Sequence, residues 1–464
     1  MTSTVNYEKP RTLVGKIVTE IIDKINCGVH SEGKLLPSIR LLAIINKVSK
    51  STAVDAYDCL VANGYVEAKP GVGFFVARRS PSTFSSENIE DNLDPLWIFH
   101  NRNILSNSLN LGYGWMPKEY LPSDVVKFAM RSVSRSQVDD LLGYGELKGL
   151  PLLRENIANK LHTLSINVDI KQVLLTDSAG HALDIILREL LKPGDIIFVD
   201  EPTSFNFNAL AQLYDVQVIG VPMLKNGWNP SCYEELVKLY NPKVYLCNSV
   251  FHNPTGITID PRDAFQILKI SQAHNVTIIE DDVYGDLDEG NATRMATLDG
   301  LNQVIYISSF SKTISGACRC GYIVGNIALI ERCTRMKAKS ACGNSSISSQ
   351  IVNSVLLSGG YRRWVRSTIR QLSEDRHHVI DMLGEVGFEI PHIPIGGMFV
   401  WAKLPNGLNS EKIARAALNH RMVLAPGTLF SPSGKCKEYF RFNVSRSKNP
   451  EIKTILKKIL SIVP

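Results

Sequence analysis

The chain contains no apolar run long enough to cross a bilayer. Its opening, Met1-Thr2-Ser3-Thr4-Val5-Asn6-Tyr7-Glu8, lacks the charged-then-apolar pattern of an export leader. Both absences point to a cytoplasmic protein with no membrane partner. Regular cysteine spacing is missing as well. Nine cysteines, an odd number, are scattered over 464 residues, which favours reduced thiols over a disulfide framework. Cys318-Arg319-Cys320 is too close-set for a zinc knuckle and has no partner pair, so no metal site is expected. Internal repeats are absent. A composition of 44% hydrophobic and 21% charged residues is that of a globular chain with ample core, and the length implies two or three units.

The net charge of +6 is uneven. Residues 1–79 carry eleven Lys/Arg against seven Asp/Glu, while the other 385 residues are nearly balanced, with 40 against 38. A small basic head on a near-neutral body suggests a polyanion partner for the head alone.

Hydrophobic periodicity organises that head. Leu13, Val14, Ile17, Val18, Ile21, Ile22 and Ile25 recur at helical spacing and predict a helix over 13–26. Gly33 to Ser38 reads as a turn. Ser38 caps a second helix through about Asn46, which buries Leu41, Leu42 and Ile45. After a tight turn at Lys47-Val48-Ser49, a third helix runs from about Lys50 to Asn63 with Val54, Tyr57, Leu60 and Val61 inward. Gly64 is its stop. Strands at 65–68 and 74–77 flank Lys69-Pro70-Gly71-Val72-Gly73, a hairpin with a glycine-rich tip.

Three helices and a two-stranded wing make an α+β winged helix-turn-helix, an architecture that reads double-stranded DNA. It sets Ser49, Lys50, Ser51 and Thr52 at an exposed helix N-terminus, where hydroxyls, charge and dipole meet phosphates and base edges. The strings Leu36-Pro37-Ser38-Ile39-Arg40-Leu41-Leu42-Ala43, Val48-Ser49-Lys50-Ser51-Thr52-Ala53, Gly64-Tyr65-Val66 and Gly71-Val72-Gly73-Phe74-Phe75-Val76 resemble the GntR family. The resemblance implies DNA contacts by Arg40, Lys50 and Thr52, and a minor-groove approach of the wing at Gly73. A polar linker is expected over 80–109, with Leu96-Trp97-Ile98-Phe99 docking it onto the body.

From about Asn110 helical and strand patterns alternate, as in an α/β fold with a mainly parallel sheet. The strand Val173–Thr176 leads to Ser178-Ala179-Gly180 and a helix through Leu191, a seat for an anion at a helix N-terminus. Asn253-Pro254-Thr255-Gly256, Asp281-Asp282-Val283-Tyr284 and Ser309-Phe310-Ser311-Lys312-Thr313 follow in order, with Arg319 seven residues after Lys312. An amine, groups for a heteroaromatic ring, and a cation with hydroxyls are what a pyridoxal phosphate site needs.

These motifs resemble the fold-type I aminotransferases, and the likeness covers nearly all of 110–464. It includes Tyr144-Gly145, Gly396-Gly397-Met398-Phe399, Pro426-Gly427-Thr428-Leu429-Phe430 and Arg441. It implies a pyridoxal 5'-phosphate cofactor on Lys312. The phosphate lies among Ser178, Ala179, Gly180, Ser309, Ser311 and Arg319. Asp281 faces the pyridine nitrogen, and Asn253 and Tyr284 the ring oxygen. Phe205 substitutes for the stacking aromatic that normally stands at Ser204, Arg441 takes a substrate carboxylate, and Tyr144 reaches the phosphate of a partner subunit. A homodimer follows, as does a small α+β subdomain over about 345–464. Arg319 is expected to help lower the Lys312 pKa.

A GntR-like head over 1–79 joined to an aminotransferase-like body over 110–464 resembles the MocR regulators. One reading is a transcription regulator that senses pyridoxal phosphate, or a small amino compound, by exchange of the imine partner at Lys312. The alternative is an active class I/II aminotransferase carrying a DNA-binding head. A third is a repressor whose cofactor is only structural.

Overall fold

The structure, a computed structural model, describes residues 12–26, 29–77, 108–136, 142–225, 227–341 and 343–462. The chain divides into two compact units, Met1–Asn92 and Leu93–Pro464. Nearly all of the linker expected over 80–109, including Leu96 to Phe99, lies outside the described residues.

In the first unit α1 (Leu13–Asn26), α2 (Ile39–Asn46) and α3 (Lys50–Ala62) precede a hairpin of β1 (Val66–Lys69) and β2 (Gly73–Val76). Local chemistry sets the boundaries. Ser38 and Ser49, both in extended backbone, cap α2 and α3 by accepting the N–H groups of Leu41 and Thr52. Between them Lys47 is left-handed, φ 52°, and its N–H returns to the Ala43 and Ile44 carbonyls, which closes the turn. The hairpin pairs Val66 with Val76 and Lys69 with Gly73. Gly73 has φ 137°, and a Cβ there would stand 3.0 Å from Leu35 Cδ1, so glycine is needed on both counts. The Gly33–Leu36 stretch, expected as a turn only, also lies along β2. Leu35 bridges Phe75, and the Leu36 N–H donates to the Phe74 carbonyl at 2.8 Å.

Two burial expectations are corrected. Leu41 and Ile45 are 48% and 58% exposed, and Val54 and Val61 also face outward. Because α2 is apolar almost all round, its periodicity cannot choose a face, and it buries only Leu42 and Ala43. On α3 the small residues Ala53 and Ala56 take inward positions beside Tyr57 and Leu60. Tyr57 stacks on Phe74 with centroids 4.0 Å apart and donates to the Pro37 carbonyl, tying recognition helix to wing.

The described part of the second unit begins with β3 (Leu109–Asn110) and contains a seven-stranded sheet of order β4-β10-β9-β8-β7-β5-β6. Its strands are β4 (Val173–Thr176), β5 (Ile196–Glu201), β6 (Gln217–Pro222), β7 (Val244–Cys247), β8 (Thr277–Asp281), β9 (Val304–Ser309) and β10 (Gly321–Val324). Only β10 runs antiparallel to its neighbours. Successive residues feed opposite cores. Phe198, Tyr245 and Ile278 pack on one face, and Val199, Leu246 and Ile279 on the other. A further core surrounds the antiparallel strands β11 (Phe399–Lys403), β13 (Ala425–Pro426) and β14 (Tyr439–Asn443), while β12 (Met422–Val423) pairs in parallel with β3. Leu111, Tyr113 and Met116 therefore pack with this later part of the chain. The 28-residue helix Gly359–Val386 joins the two regions, with Tyr361 in the sheet's core and Leu372, Val379 and Leu383 in the other.

Candidate functional site

The C-terminal ends of β4, β8 and β9 supply the groups of one site, the crevice position that open parallel sheets offer to ligands. After β4, Ser178 caps the helix Ala179–Leu190 by accepting the His181 N–H at 3.0 Å. With the His181 N–H taken by Ser178, the Ala179 and Gly180 amides have no partner within the helix and suit an anion. The start of β10 passes directly against this turn, since a Cβ on Gly321 would lie 2.6 Å from the Ser178 carbonyl carbon. Arg319, left-handed at φ 43°, is thereby carried to the same corner. Ser309 Oγ lies 2.9 Å from both Ser311 Oγ and the Cys320 carbonyl. Its single proton is thus engaged locally, and Ser311 is the freer hydroxyl.

These groups line a cavity of about 810 Å³. Lys312, Asp281, Asn253, Tyr284, Arg319 and Arg441 are brought together there with Ser178, Ala179, Gly180, Phe205, Ser309 and Ser311. Tyr144 is not. It is 96% exposed and does not line the cavity. Phe205 is buried and makes an edge contact with Phe430, centroids 5.8 Å apart.

Burial controls the charges. Lys312 Nζ donates to the Gly114 carbonyl at 2.7 Å. Burial first, then Arg441, and more weakly Arg319, bring its pKa down to about 8 against the opposing pull of Asp281. Arg319 thus helps lower it as expected, and Arg441 adds a larger effect that was not anticipated. Burial lifts the Asp281 carboxyl to about 7, although the Val283 N–H donates to it at 3.2 Å. Burial likewise raises the Tyr284 phenol, which has Asn253 as a hydrogen-bond partner.

Arg441, on β14, is 1% exposed and lies over the Phe399 and Phe430 rings at 4.5 and 4.6 Å. It donates to Asn253 Oδ1 at 2.7 Å and to the Gly112 carbonyl at 2.6 Å. Its Nε is buried without an acceptor, and it makes no carboxylate ion pair among the described residues. Burial lowers its pKa to about 10.

Sequence reasoning missed several participants. The Gly114 carbonyl, 198 positions from Lys312, carries no sequence signal. Asn248 Nδ2 donates to the Asp281 carbonyl at 2.7 Å, and a polar residue directly after the buried strand β7 was a usable clue. Neighbouring carboxylates divide their roles. Glu280 turns away from the cavity and accepts the Met295 and Ala296 N–H groups at 2.8 and 2.9 Å, capping the helix Met295–Asp299. Cys318 and Cys320 are buried, burial raises both thiols, Cys320 to about 12, and no cluster suited to a metal occurs among the described residues.

On the head, Arg40, Lys50 and Ser51 are exposed. Ser49 Oγ lies 2.7 Å from Ser51 Oγ and 2.8 Å from Thr52 Oγ1, so the α3 N-terminus presents a hydroxyl cluster beside a lysine. Gly73 stands at the wing.

Comparison with known proteins agrees with this pairing of units. Residues 13–76 match the family "Bacterial regulatory proteins, gntR family", and residues 106–459 match "Aminotransferase class I and II". The HTH-type transcriptional regulator YdfD of Bacillus subtilis strain 168, itself described as uncharacterized, is 30% identical over 437 residues, covering 90% of this chain and 89% of YdfD. The chain belongs to the MocR-type GntR regulators. Another relative, the HTH-type transcriptional regulator NorG of Staphylococcus aureus strain USA300, is 26% identical, with 92% of this chain and 99% of NorG covered. The body shares its fold with a kynurenine aminotransferase of Pyrococcus horikoshii, at TM-score 0.74, 24% identity, and 82% and 97% coverage of the two chains. An archaeal alanine:glyoxylate aminotransferase gives TM-score 0.73 at 23% identity, with 79% and 93% covered. The head of this MocR-type chain is thus a DNA-binding winged helix-turn-helix, and its body has the aminotransferase fold, whose family uses pyridoxal phosphate. No described helix is long and apolar enough to cross a membrane.

The residues present fit that cofactor. A helix N-terminus, a hydroxyl and Arg319 suit a phosphate, Asp281 suits a protonated ring nitrogen, and Lys312 is an amine depressed enough to react. Arg441, which lines the same cavity with no acid partner among the described residues, is a cation suited to a further anion.

Proposed function

We propose that this regulator senses pyridoxal phosphate, or an amino compound that reacts at the same place, and alters DNA binding in response. One observation carries the reading. Lys312, Asp281, the anion corner and an acid-free Arg441 share a single cavity in a chain whose other unit binds DNA. When bound, pyridoxal phosphate supplies a carbonyl that condenses with amines and a ring that withdraws electrons. The chain's own groups do the rest. Ser178, Ala179, Gly180, Ser311 and Arg319 hold the phosphate, with Ser309 fixing Ser311. Asp281 keeps a proton at the ring nitrogen. Tyr284 and Asn253 would orient the ring oxygen, and Phe205 would stand in for the aromatic that stacks on the ring. Lys312, brought down to about 8, would be able to give up its Nζ proton, and Arg441 would take the carboxylate of an incoming amino compound. A ligand of this kind changes the body only as far as it binds two arrangements differently.

The working unit in this reading is a cytoplasmic homodimer in which the exposed Tyr144 serves the partner subunit's phosphate corner. Arg40, Ser49, Lys50, Ser51, Thr52 and Gly73 form the DNA-contacting surface, and the segment over 80–109 passes the body's change to the heads. A second reading, turnover as an aminotransferase, is favoured by the cavity's full set of reacting groups. Multiple turnovers with a keto-acid acceptor would select it. The test of the sensing reading is uptake of pyridoxal phosphate, followed by its visible absorbance and by hydride trapping on Lys312. Wild type should bind and be trapped, Lys312→Ala should not be trapped, and equal behaviour of the two would refute it.

A further inference from the structure

Asp286, five residues beyond Asp281, carries a carboxylate only 9% exposed, and it does not line the cavity. It collects donors from three separate elements. Lys160, on the helix Pro151–His162, is its ion-pair partner. Thr313 Oγ1, on the residue after Lys312, donates to Asp286 Oδ2 at 3.0 Å. Tyr361 OH donates to the same oxygen at 2.6 Å. Lys160 Nζ in addition stands 5.4 Å from the Phe310 ring centroid, so the cluster grips the Phe310–Thr313 turn on both sides of Lys312.

Tyr361 is in the first turn of Gly359–Val386, the helix that reaches from the sheet's core into the β11-β14 core. At 1.5 Å per residue this rod is about 42 Å long, so a small displacement at its first turn is carried far. Thr313 and Tyr361 share one acceptor oxygen, and a shift of the Lys312 turn alters the geometry available to Tyr361. Lys160 meanwhile keeps the carboxylate charged and in place.

We infer that Asp286 is a positioning residue which couples the Lys312 turn, through Thr313 and Tyr361, to the long helix joining the two cores. This rests on the proposed reading that ligand chemistry occurs at Lys312. A bare structural ion pair would need only Lys160 and Asp286. The two neutral donors to one oxygen are what a coupling adds.

The test uses the full chain and hydrogen exchange over residues 359–372, with and without pyridoxal phosphate. In wild type the cofactor should change exchange in this segment about three- to tenfold, the scale set by making or losing one hydrogen bond. Tyr361→Phe and Thr313→Val keep the Lys160–Asp286 pair and leave the cavity lining untouched. Each should still take up the cofactor with its visible absorbance, yet lose the exchange response. If wild type binds but 359–372 does not respond, or if both variants respond as wild type does, the coupling is refuted while the sensing reading stands. If wild type takes up no cofactor, both fall.

Discussion

Replacing Arg441 with methionine separates a ligand-binding arginine from a structural one. A buried cation paired with an acid cannot be removed cheaply, because the orphaned carboxylate costs about 3–5 kcal/mol. Arg441 has no such acid among the described residues and leaves its Nε unpaired. Its removal strands two neutral acceptors, Asn253 Oδ1 and the Gly112 carbonyl, at about 1–3 kcal/mol each. Relief of a desolvated charge between Phe399 and Phe430 offsets much of this. The net change in stability should be within about 2 kcal/mol, with the fold intact. Ligand binding should suffer more. A carboxylate held by two charge-assisted hydrogen bonds loses about 3 kcal/mol, on the order of 100-fold in affinity. The assay is calorimetric titration of the cofactor-loaded protein with an amino acid and with the matching amine that lacks the carboxylate. Wild type should prefer the amino acid strongly and Arg441→Met should bind the two alike. A variant that unfolds, or one that keeps the preference, would refute the assignment.

The other predictions concern titration and the head. Burial and the Arg441 charge hold Lys312 near 8, so the rate of cofactor attachment should rise with pH to a plateau above about 8. Arg441→Met should move that inflection upward, as rapid-mixing absorbance would reveal. Asp281 holds its proton in the folded protein up to about pH 7, whereas in the unfolded chain it ionises near 4. Stability from this group is therefore lost as pH rises from about 4 to 7, and Asp281→Asn should stabilise the cofactor-free protein more at pH 8 than at pH 5 in thermal melts. On the head, Gly73→Ala should cost about 1–2 kcal/mol through its positive φ and the Leu35 contact, measured by the melting of a tryptophan-free probe such as head-specific amide exchange. Lys50→Ala should flatten the salt dependence of DNA binding by about one unit of slope.

Much of the head was legible because its signals are local. Ser38 and Ser49 announce helix starts, and Gly64 and Gly73 mark positions where φ must be positive. What failed was the choice of face on α2, where Leu41, Leu42, Ile44 and Ile45 offer no contrast and only Leu42 is buried. In the body, β4 and the helix start at Ser178–Ala179 were readable from a buried run followed by small residues. Lys312, Asp281 and Asn253 belong to compact motifs that converge at strand ends. Gly114, Asp286 and Tyr361 do not. They act through a carbonyl or through partners from 27 to 198 positions away, and only the folded sheet brings them together. The ordering of cations around Lys312 was also invisible in sequence, because Arg319 is near in the chain while Arg441 arrives from β14.

The central claim, that ligand at Lys312 governs the head's hold on DNA, is tested most directly by fluorescence anisotropy. Wild type and Lys312→Ala would be titrated onto DNA from upstream of the gene and onto scrambled DNA, across a salt series, with and without pyridoxal phosphate. The account predicts sequence-specific binding by wild type that shifts with the cofactor, and binding by Lys312→Ala that does not shift. Specific binding indifferent to the cofactor in both proteins would contradict it.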